Sequence, residues 1–233
     1  YIAKFSVDSK RSYFGNALMP EINIKRVRLW EECYFDLTLP EVDNDAIIEL
    51  YERLEKEEEG QQKSNIGGWQ REVQPGECAA YDHMLYLTEV AVTDLFKNVF
   101  EVDIDIEVAN SWLNSNILGE SNAFHTHPGC LFSGVYYVNA SKDKENGSIN
   151  FVNPNHHVIE DFIATLPLRA PITNEKARNL YRDKIFTSHR HAEPRVNHAY
   201  VFPPWLGHEV RKNPHTFNRL VVGINFKAVD RVR

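Results

Sequence analysis

The chain has 233 residues, a formal net charge of −7 at pH 7 and a hydrophobic content of 42%, which is enough for one sizeable barrel or sandwich with a packed core. The acidic balance argues against a nucleic-acid-binding surface, because phosphate recognition usually leaves a basic footprint. No apolar run approaches the roughly 20 residues of a bilayer-crossing helix, and three scattered cysteines fit reduced thiols in a cytoplasmic protein better than a disulfide framework.

The first hundred residues predict a brace of strand and helices that packs on a sheet and carries no chemistry of its own. Residues 26–39 are typical of an extended segment that stops at Pro40. Asp43 offers an N-cap to a helix, whose apolar positions follow helical spacing at Ile47, Leu50, Tyr51 and Leu54. A second amphipathic helix is marked by Leu85, Val92, Leu95, Phe96 and Val99.

From Asp103 the hydrophobic period changes to 2, as in a half-buried strand. The apolar positions are Ile104, Ile106 and Val108, and the same parity continues through Asn110, Trp112, Asn114 and Asn116. One interpretation is a strand whose inward face runs from the core into a polar cavity. The other is that the asparagines merely end the strand.

Four further strands are predicted at about 131–139, 148–152, 198–203 and 219–227, separated by turn chemistry. Several short strands of this kind favour a mainly β fold with flanking helices, built on a jelly-roll core.

The domain organisation follows from this division of the chain. We expect one domain over residues 1–233, with the brace at 1–100 and the jelly-roll core at 101–233. An insertion at about 155–197 contains two predicted helices, near 158–166 and 174–186, and is a plausible rim of the pocket together with the turn at 67–69.

His125 and His127 are a candidate metal-binding pair. Residues two positions apart on an extended strand project from the same face, and imidazole suits iron, zinc, copper and nickel. A His-x-His pair alone is more often an ordinary piece of strand, and His189 and His191 form another. The combination with a third candidate, His208 in the segment Trp-Leu-Gly-His, favours a metal site.

The last predicted strand places an arginine where a ligand could lie. Arg219, Val221, Gly223 and Asn225 share one face, while the opposite face is entirely apolar. Arginine offers a rigid fork of donors that matches a carboxylate, and Gly223 would leave room beside it. A histidine ligand followed shortly by such an arginine indicates a metal centre next to a carboxylate-binding cation.

These residues together resemble the 2-oxoglutarate-dependent Fe(II) oxygenases. The shared features are His125-x-His127, Gly-Val-Tyr-Tyr-Val-Asn at 134–139, Gly-Ser-Ile-Asn-Phe at 147–151, His208 and Arg219. Within these enzymes the chain resembles most an uncharacterised branch with Trp-x-Asn, His-x-His-Pro and Trp-Leu-x-His, and Gly-Gly-Trp-Gln at 67–70 also looks like that branch; prolyl hydroxylases are more distant. The resemblance implies a double-stranded β-helix.

The resemblance also implies a reaction and its participants. Fe(II) and 2-oxoglutarate are the expected cofactors, and O2 and an unidentified primary substrate are the expected partners. The expected activity is that of a dioxygenase of the hydroxylase type, which releases succinate and CO2. The sequence does not set the oligomeric state, and a homo-oligomer is possible.

Carried over by resemblance, His125 matches the first metal ligand and His208 the distal one. Arg219 matches the basic residue that pairs with the far carboxylate of 2-oxoglutarate. Tyr137 matches the tyrosine that hydrogen-bonds the same carboxylate, with Tyr136 an alternative by one step of strand register. Asn114 would face the co-substrate from the preceding strand.

Position 127 departs from the usual set of two histidines and one carboxylate. Either His127 binds the metal, which gives three neutral imidazoles, or it turns away and water takes its place. We favour binding, because no acidic residue stands at that spacing. Loss of the negative charge would favour the dianionic co-substrate but weaken retention of the metal.

Two other functions remain open. The first is a three-histidine, cupin-type metal protein without 2-oxoglutarate: Gly119 and His125-x-His127 match the start of a cupin motif, but residues 128–133 lack the expected glutamate. Arg219 discriminates, since a simple cupin does not need that cation. The second is a non-catalytic binding module on the same jelly-roll.

Overall fold

The structure, a computed structural model, describes residues 2–3, 24–25, 32–141, 147–158 and 188–229. The chain divides into two compact units, residues 1–32 and 33–233. In the first unit, β1 (Ile2–Ala3) and β2 (Ile24–Lys25) form an antiparallel pair. Our expectation of one domain over 1–233 stays a prediction. Apart from Val158, the two helices predicted in the insertion lie outside the described residues.

Helix α1 (Asn44–Glu57) forms where its pattern predicts it. The Asp43 side chain accepts a hydrogen bond from the Ala46 N–H at 3.1 Å, which satisfies one of the amides that a helix start leaves unpaired. Its buried face consists of Ile47, Leu50, Tyr51 and Leu54. The predicted N-cap and apolar face of this helix are confirmed.

Helix α2 (Ala79–Val99) begins earlier than its predicted markers. The buried face also contains Met84 and two residues with hydroxyl groups, Tyr81 and Thr88, which obscure the apolar pattern in the sequence. The two hydroxyls are satisfied internally, since Tyr81 donates to Ser111 Oγ at 2.9 Å and Thr88 donates to the Met84 carbonyl at 2.8 Å. In the described part of the chain, neither α1 nor α2 is long and apolar enough to cross a membrane.

The strands of the second unit follow in chain order. They are β3 (Phe35–Thr38), β4 (Asn65–Ile66), β5 (Trp69–Glu72), β6 (Asp105–Asn116), β7 (Ser121–His125), β8 (Phe132–Asn139), β9 (Ile149–Val152), β10 (His189–Ala192), β11 (His198–Phe202), β12 (His208–Val210) and β13 (Arg219–Val229). Within the described ranges they make a larger sheet, β3-β11-β8-β13-β6-β5, and a smaller one, β10-β9-β12-β7-β4. Every pairing is antiparallel, and the mainly β, jelly-roll fold with flanking helices is confirmed.

Two hydrophobic clusters lie on opposite faces of the larger sheet. The first joins both helices to the sheet and contains Met84 and Leu113, together with Leu220, Val222, Ile224 and Phe226 of β13. The second contains Tyr137, Phe151 and Phe202 and joins the two sheets to each other. The apolar face predicted for β13 is therefore core, while the face that carries Arg219 is turned toward the smaller sheet.

Strand β6 carries a bulge where it pairs with β13. Val108 lies opposite Phe226, whereas Asn110 lies opposite Asn225, so β6 has one extra residue between the two pairs. A single extra residue shifts the alternation of side chains by one position. Even-numbered residues before the bulge and odd-numbered residues after it therefore face the same cluster.

This shift decides which β6 residues reach the cavity. Before the bulge, Ile106 packs in the cluster beneath the helices. After it, Leu113 joins that cluster, while Trp112 and Asn114 line the cavity between the sheets. The prediction of one continuous inward face is wrong, but the assignment of Trp112 and Asn114 to a cavity is confirmed.

Candidate metal centre and anion pocket

His125 and His208 stand on neighbouring strands of the smaller sheet. His125 is the last residue of β7 and His208 the first of β12, and the two lie directly opposite each other in the register. Their ring centroids are 4.3 Å apart. The antiparallel pairing thus brings together two histidines that are far apart in sequence.

His127 lies beyond the end of β7, not on the strand as predicted. Its backbone N–H donates to the Pro204 carbonyl at 2.9 Å, which holds this segment beside the turn that precedes His208. Its Nε2 atom lies 3.3 Å from Nε2 of His208, so the ring faces the same centre. The ligand atoms of His125, His127 and His208 all lie within 4.8 Å of one another.

Backbone carbonyls set the tautomers of two of these rings. Nδ1–H of His125 donates to the Ala123 carbonyl at 2.7 Å, and Nδ1–H of His208 donates to the Leu206 carbonyl at 2.9 Å. Since a carbonyl oxygen only accepts, the proton stands on Nδ1 and leaves the Nε2 lone pair of each ring to bind a metal.

Burial keeps all three imidazoles in the neutral form that binds metals. Loss of solvent and the neighbouring His125 lower the pKa of His127 to about 4. Loss of solvent and the other two histidines lower the pKa of His208 to about 3. Burial also lowers the pKa of His125, although its hydrogen bond to the Ala123 carbonyl opposes the shift.

In the described ranges no carboxylate joins the three imidazoles. Glu209 adjoins His208, but its carboxylate accepts a hydrogen bond from Asn150 Nδ2 at 2.7 Å. Three neutral imidazoles with their ligand atoms this close together are a donor set suited to iron, zinc, copper or nickel. The residues present therefore fit a single divalent ion.

Arg219 is a buried cation in the same cavity. Its side chain is 2% exposed, and burial lowers its pKa to about 10, so it stays charged at neutral pH. One terminal nitrogen donates to the Gly147 carbonyl at 2.5 Å, and the other donates to Asn116 Oδ1. No carboxylate among the described residues pairs with it, and its Nε atom makes no hydrogen bond within them.

Two asparagines, Asn116 and Asn122, contact the guanidinium, and Asn114 supports them. Asn114 Nδ2 donates to Asn116 Oδ1 at 2.9 Å, and Asn122 Oδ1 lies 3.5 Å from Arg219. Asn114 Oδ1 and Asn116 Nδ2 are buried without a partner among the described residues. Because unpaired buried polar atoms are costly, the unpaired donor Nε of Arg219, a residue that lines the cavity, indicates a pocket that fits an anionic ligand.

Strand register places Tyr136 and Tyr137 on opposite faces of the larger sheet. Tyr137 lies opposite Val221, on the face of Arg219, and lines the cavity. Tyr136 lies opposite Val222 in the cluster beneath the helices, and its hydroxyl donates to Asn44 Oδ1 at 2.9 Å. Tyr137 is the tyrosine that reaches the cavity.

The cavity between the sheets, counted together with the open solvent at its mouth, holds about 520 Å³ of empty space. Its lining brings together the six residues singled out in the sequence, namely Asn114, His125, His127, Tyr137, His208 and Arg219. The wall also includes Trp112, whose indole lies against Gly223.

Sequence reasoning missed the residues that hold Arg219. Asn116 was visible only as the end of a polar strand face, and Gly147 only as part of a turn. Nothing in the sequence pointed to Asn122. Trp69, expected near the pocket rim, instead packs edge-on against Tyr51 at 5.4 Å, on the side of the helices.

The sequence matches a protein-family model described as "Putative 2OG-Fe(II) oxygenase" over residues 110–225, about half of the chain. That range contains the three histidines and Arg219. The chain belongs to the 2-oxoglutarate/Fe(II)-dependent oxygenases. The cofactors of these enzymes, Fe(II) and 2-oxoglutarate, agree with the three imidazoles and with a buried cation that lacks a carboxylate partner in the described ranges.

Solved structures of other oxygenases share the fold. A prolyl-4-hydroxylase from Pseudomonas putida is 15% identical with a TM-score of 0.58, and the match covers 85% of this chain and 94% of that one. HygX from Streptomyces hygroscopicus, solved with nickel and 2-oxoglutarate bound, is 12% identical with a TM-score of 0.54 and coverage of 84% and 83%.

A third structure with this fold has a different named reaction. The α-ketoglutarate-dependent epimerase SnoN, from nogalamycin biosynthesis, is 12% identical with a TM-score of 0.57 and coverage of 84% and 78%. The structural similarity establishes the shared fold, while identities this low do not define the reaction of this oxygenase. Among curated proteins, no sequence matches the chain.

Proposed function

We propose that His125, His127 and His208 hold Fe(II), that Arg219 anchors the far carboxylate of 2-oxoglutarate, and that the enzyme hydroxylates a C–H bond of its primary substrate. The observation that carries the proposal is the charged, buried Arg219, which lacks a described carboxylate partner and lines the same cavity as three converging neutral imidazoles. A buried charge is costly unless it is paired. A dianionic ligand between the cation and the metal would satisfy it.

The other cavity residues have supporting roles in this proposal. Asn114 and Asn116 would hold the guanidinium in place, because Asn114 Nδ2 donates to Asn116 Oδ1, which also accepts from Arg219. The hydroxyl of Tyr137 lies in the same buried cluster and would donate to it as well. The apolar lining from Phe202 and Val221 excludes water around the reacting groups.

Fe(II) with 2-oxoglutarate supplies the oxidising chemistry, in which O2 and 2-oxoglutarate are consumed, succinate and CO2 are released, and one oxygen atom enters the substrate C–H bond. The protein's own residues bind and orient the participants. His125, His127 and His208 would hold the ion, and the remaining coordination positions would be available to the co-substrate and O2.

Hydroxylation is favoured over epimerisation by the groups that line the cavity. An epimerase must return hydrogen to the opposite face of its substrate, which requires a donor side chain across from the metal. Apart from the three histidines, Tyr137 and Arg219 are the titratable residues of the described lining, and both belong to the proposed co-substrate end. Hydroxylation needs no such donor.

The experiment that tests the proposal compares Arg219→Met with wild type. Loss of one partner of a buried ionic pair costs about 2–5 kcal/mol, so the Kd for 2-oxoglutarate should rise at least about thirtyfold, while the Kd for Ni(II) stays the same. Titration calorimetry of 2-oxoglutarate into Ni(II)-loaded protein measures this. Lys227→Met, which removes an exposed cation from the same strand, should change neither affinity.

Measurements on the wild-type enzyme can also contradict the proposal. Anaerobic addition of 2-oxoglutarate to the Fe(II)-loaded protein should produce a weak visible charge-transfer band, and substrate screens should detect succinate. Binding of the metal without the band, or an unchanged 2-oxoglutarate affinity in Arg219→Met, would instead favour a cupin-type metal protein or a binding module.

A further inference from the structure

Trp112 stands against the ring of His127. The two ring centroids are 6.0 Å apart and the planes differ by 24°, which is an offset stacked arrangement. His127 is also nearly parallel to His208, at 5.1 Å and 10°. The indole of Trp112 is therefore stacked against the imidazole of His127, while His208 approaches that imidazole through its Nε2 atom at 3.3 Å.

His127 lacks the support that the other two histidines receive. Nδ1 of His125 and Nδ1 of His208 each donate to a backbone carbonyl, but Nδ1 of His127 has no such acceptor in the described part of the chain. His127 also follows the end of β7, so no strand pairing holds its backbone beyond the bond to Pro204. Ring packing is the contact that remains to fix its orientation.

Gly223 makes the position of Trp112 possible. A Cβ atom at residue 223 would lie 2.2–2.6 Å from Cε2, Cζ2 and Nε1 of the indole, which is closer than real Cβ contacts allow. Residues 112 and 223 are paired across β6 and β13, so the indole lies flat over the space that the glycine leaves. Any side chain at 223 would push Trp112 away from its present position.

We propose that Trp112 is a positioning residue for the third metal ligand: seated on Gly223, the indole holds the imidazole of His127 in the orientation that directs Nε2 at the metal. This inference rests on the proposed function, since it takes His127 to be a ligand. It assigns to ring packing the role that a hydrogen-bonded carbonyl has for the other two histidines. Partners that orient metal ligands typically contribute about 10- to 100-fold in metal affinity.

The experiment measures the Kd for Co(II) and the visible spectrum of the Co(II) protein, neither of which requires turnover. Trp112→Ala should weaken Co(II) binding about tenfold and shift the spectrum toward that of His127→Ala. Trp112→Phe keeps a flat ring against the imidazole and should restore most of the affinity. Gly223→Ala should reproduce the effect of Trp112→Ala, although every ring is still present.

Gly134→Ala is the matched control for disturbance of the sheet. The backbone of Gly134 borders the cavity, but its new methyl group would meet the Tyr200 carbonyl at 3.2 Å and Val201 and Phe226 at 3.3–3.5 Å. Val201 and Phe226 belong to the cluster beneath the helices, on the other face of the sheet, so the Co(II) affinity should not change. Thermal unfolding of each variant separates loss of fold from loss of metal. The affinity for 2-oxoglutarate, measured at saturating Co(II), should change much less than the affinity for the metal.

The outcomes separate the two proposals. If His127→Ala binds Co(II) as tightly as wild type, the assignment of His127 as a ligand is wrong, and the role of Trp112 is wrong with it. If His127→Ala weakens binding while Trp112→Ala and Gly223→Ala do not, the ligand assignment stands and the positioning role of Trp112 is overturned. Equal losses in Gly134→Ala and Gly223→Ala would also overturn it.

Discussion

With His127 as its proposed third ligand, the centre would have an unusual charge for a 2-oxoglutarate oxygenase. With a carboxylate in that position, a divalent ion would keep one net positive charge, whereas three neutral imidazoles leave two. The imidazole is held neutral by burial, which lowers its pKa to about 4. A more positive centre attracts the dianionic co-substrate more strongly, and neutral ligands hold the metal less tightly.

The variant His127→Asp should bind the metal more tightly and 2-oxoglutarate more weakly than wild type. Adding one negative charge beside the ion should tighten Co(II) binding and weaken 2-oxoglutarate binding, each on the order of tenfold. Both values can be measured by calorimetry on the same preparation. His191→Asp adds the same charge on an exposed residue of β10 and should leave both unchanged; an unchanged 2-oxoglutarate affinity in His127→Asp would contradict the argument.

Among the elements, β5 is tied to both helices by one arginine. Arg71 donates to both carboxylate oxygens of Glu77, just before α2, and to Glu58 Oε1 at 3.1 Å, just after α1. The side chain of Arg71 is mostly buried. Its hydrogen bonds and charge hold the pKa of Glu77 below the usual range. The cluster thus fixes the edge of the larger sheet against the helical layer.

This contact makes part of the stability dependent on pH. Because the pKa of Glu77 is lower in the folded protein, its contribution is complete above the unfolded value of about 4.3 and is lost as the pH falls through the folded value. Glu77→Gln should therefore be less stable than wild type at pH 7, by about 1 kcal/mol, and the difference should shrink below about pH 4.

Urea unfolding at several pH values measures the difference. Glu107→Gln is the control, since its carboxylate meets Lys227 at 3.5 Å with both side chains about half exposed. That variant should match wild type throughout. A constant difference for Glu77→Gln across the pH range would show that the lost contact is not the ionic one.

For the second unit, residues 33–233, stability and chemistry come from different faces of the larger sheet. The cluster beneath the helices contains buried apolar residues of α1 and α2. The cavity lies on the opposite side of the larger sheet, where that sheet faces the smaller one that carries His125 and His208. Side chains alternate across a strand, so one strand such as β13 supplies both faces. Damage to the helical cluster should therefore lower stability without altering the metal centre.

Met84→Ala tests this separation. Met84 is fully buried in the cluster beneath the helices, and its truncation should lower the free energy of unfolding by about 2–5 kcal/mol. The Kd for Co(II), measured well below the unfolding temperature, should equal that of wild type. Val90→Ala, at an exposed position of the same helix, should change neither quantity. A weaker Co(II) affinity in Met84→Ala would show that the two faces are coupled.

The sequence by itself was enough for the features set by local pattern. Helix α1 follows from its N-cap and apolar spacing, the strands of the jelly-roll from period 2 and turn residues, and the candidate site from motifs that carry His125, His208 and Arg219. Each of these signals lies within a few residues of its own position. The cavity residues found in this way all line one pocket.

Only the tertiary structure decided how those residues are held. A bulge in β6 is defined by its partner β13, so no periodicity within β6 could show that the inward face changes before Trp112. The position of His127 depends on Pro204, and the partners of Arg219 come from three separate segments at Asn116, Asn122 and Gly147. Contacts between residues distant in sequence leave no local pattern, because they arise only when distant strands pair and the two sheets pack on each other.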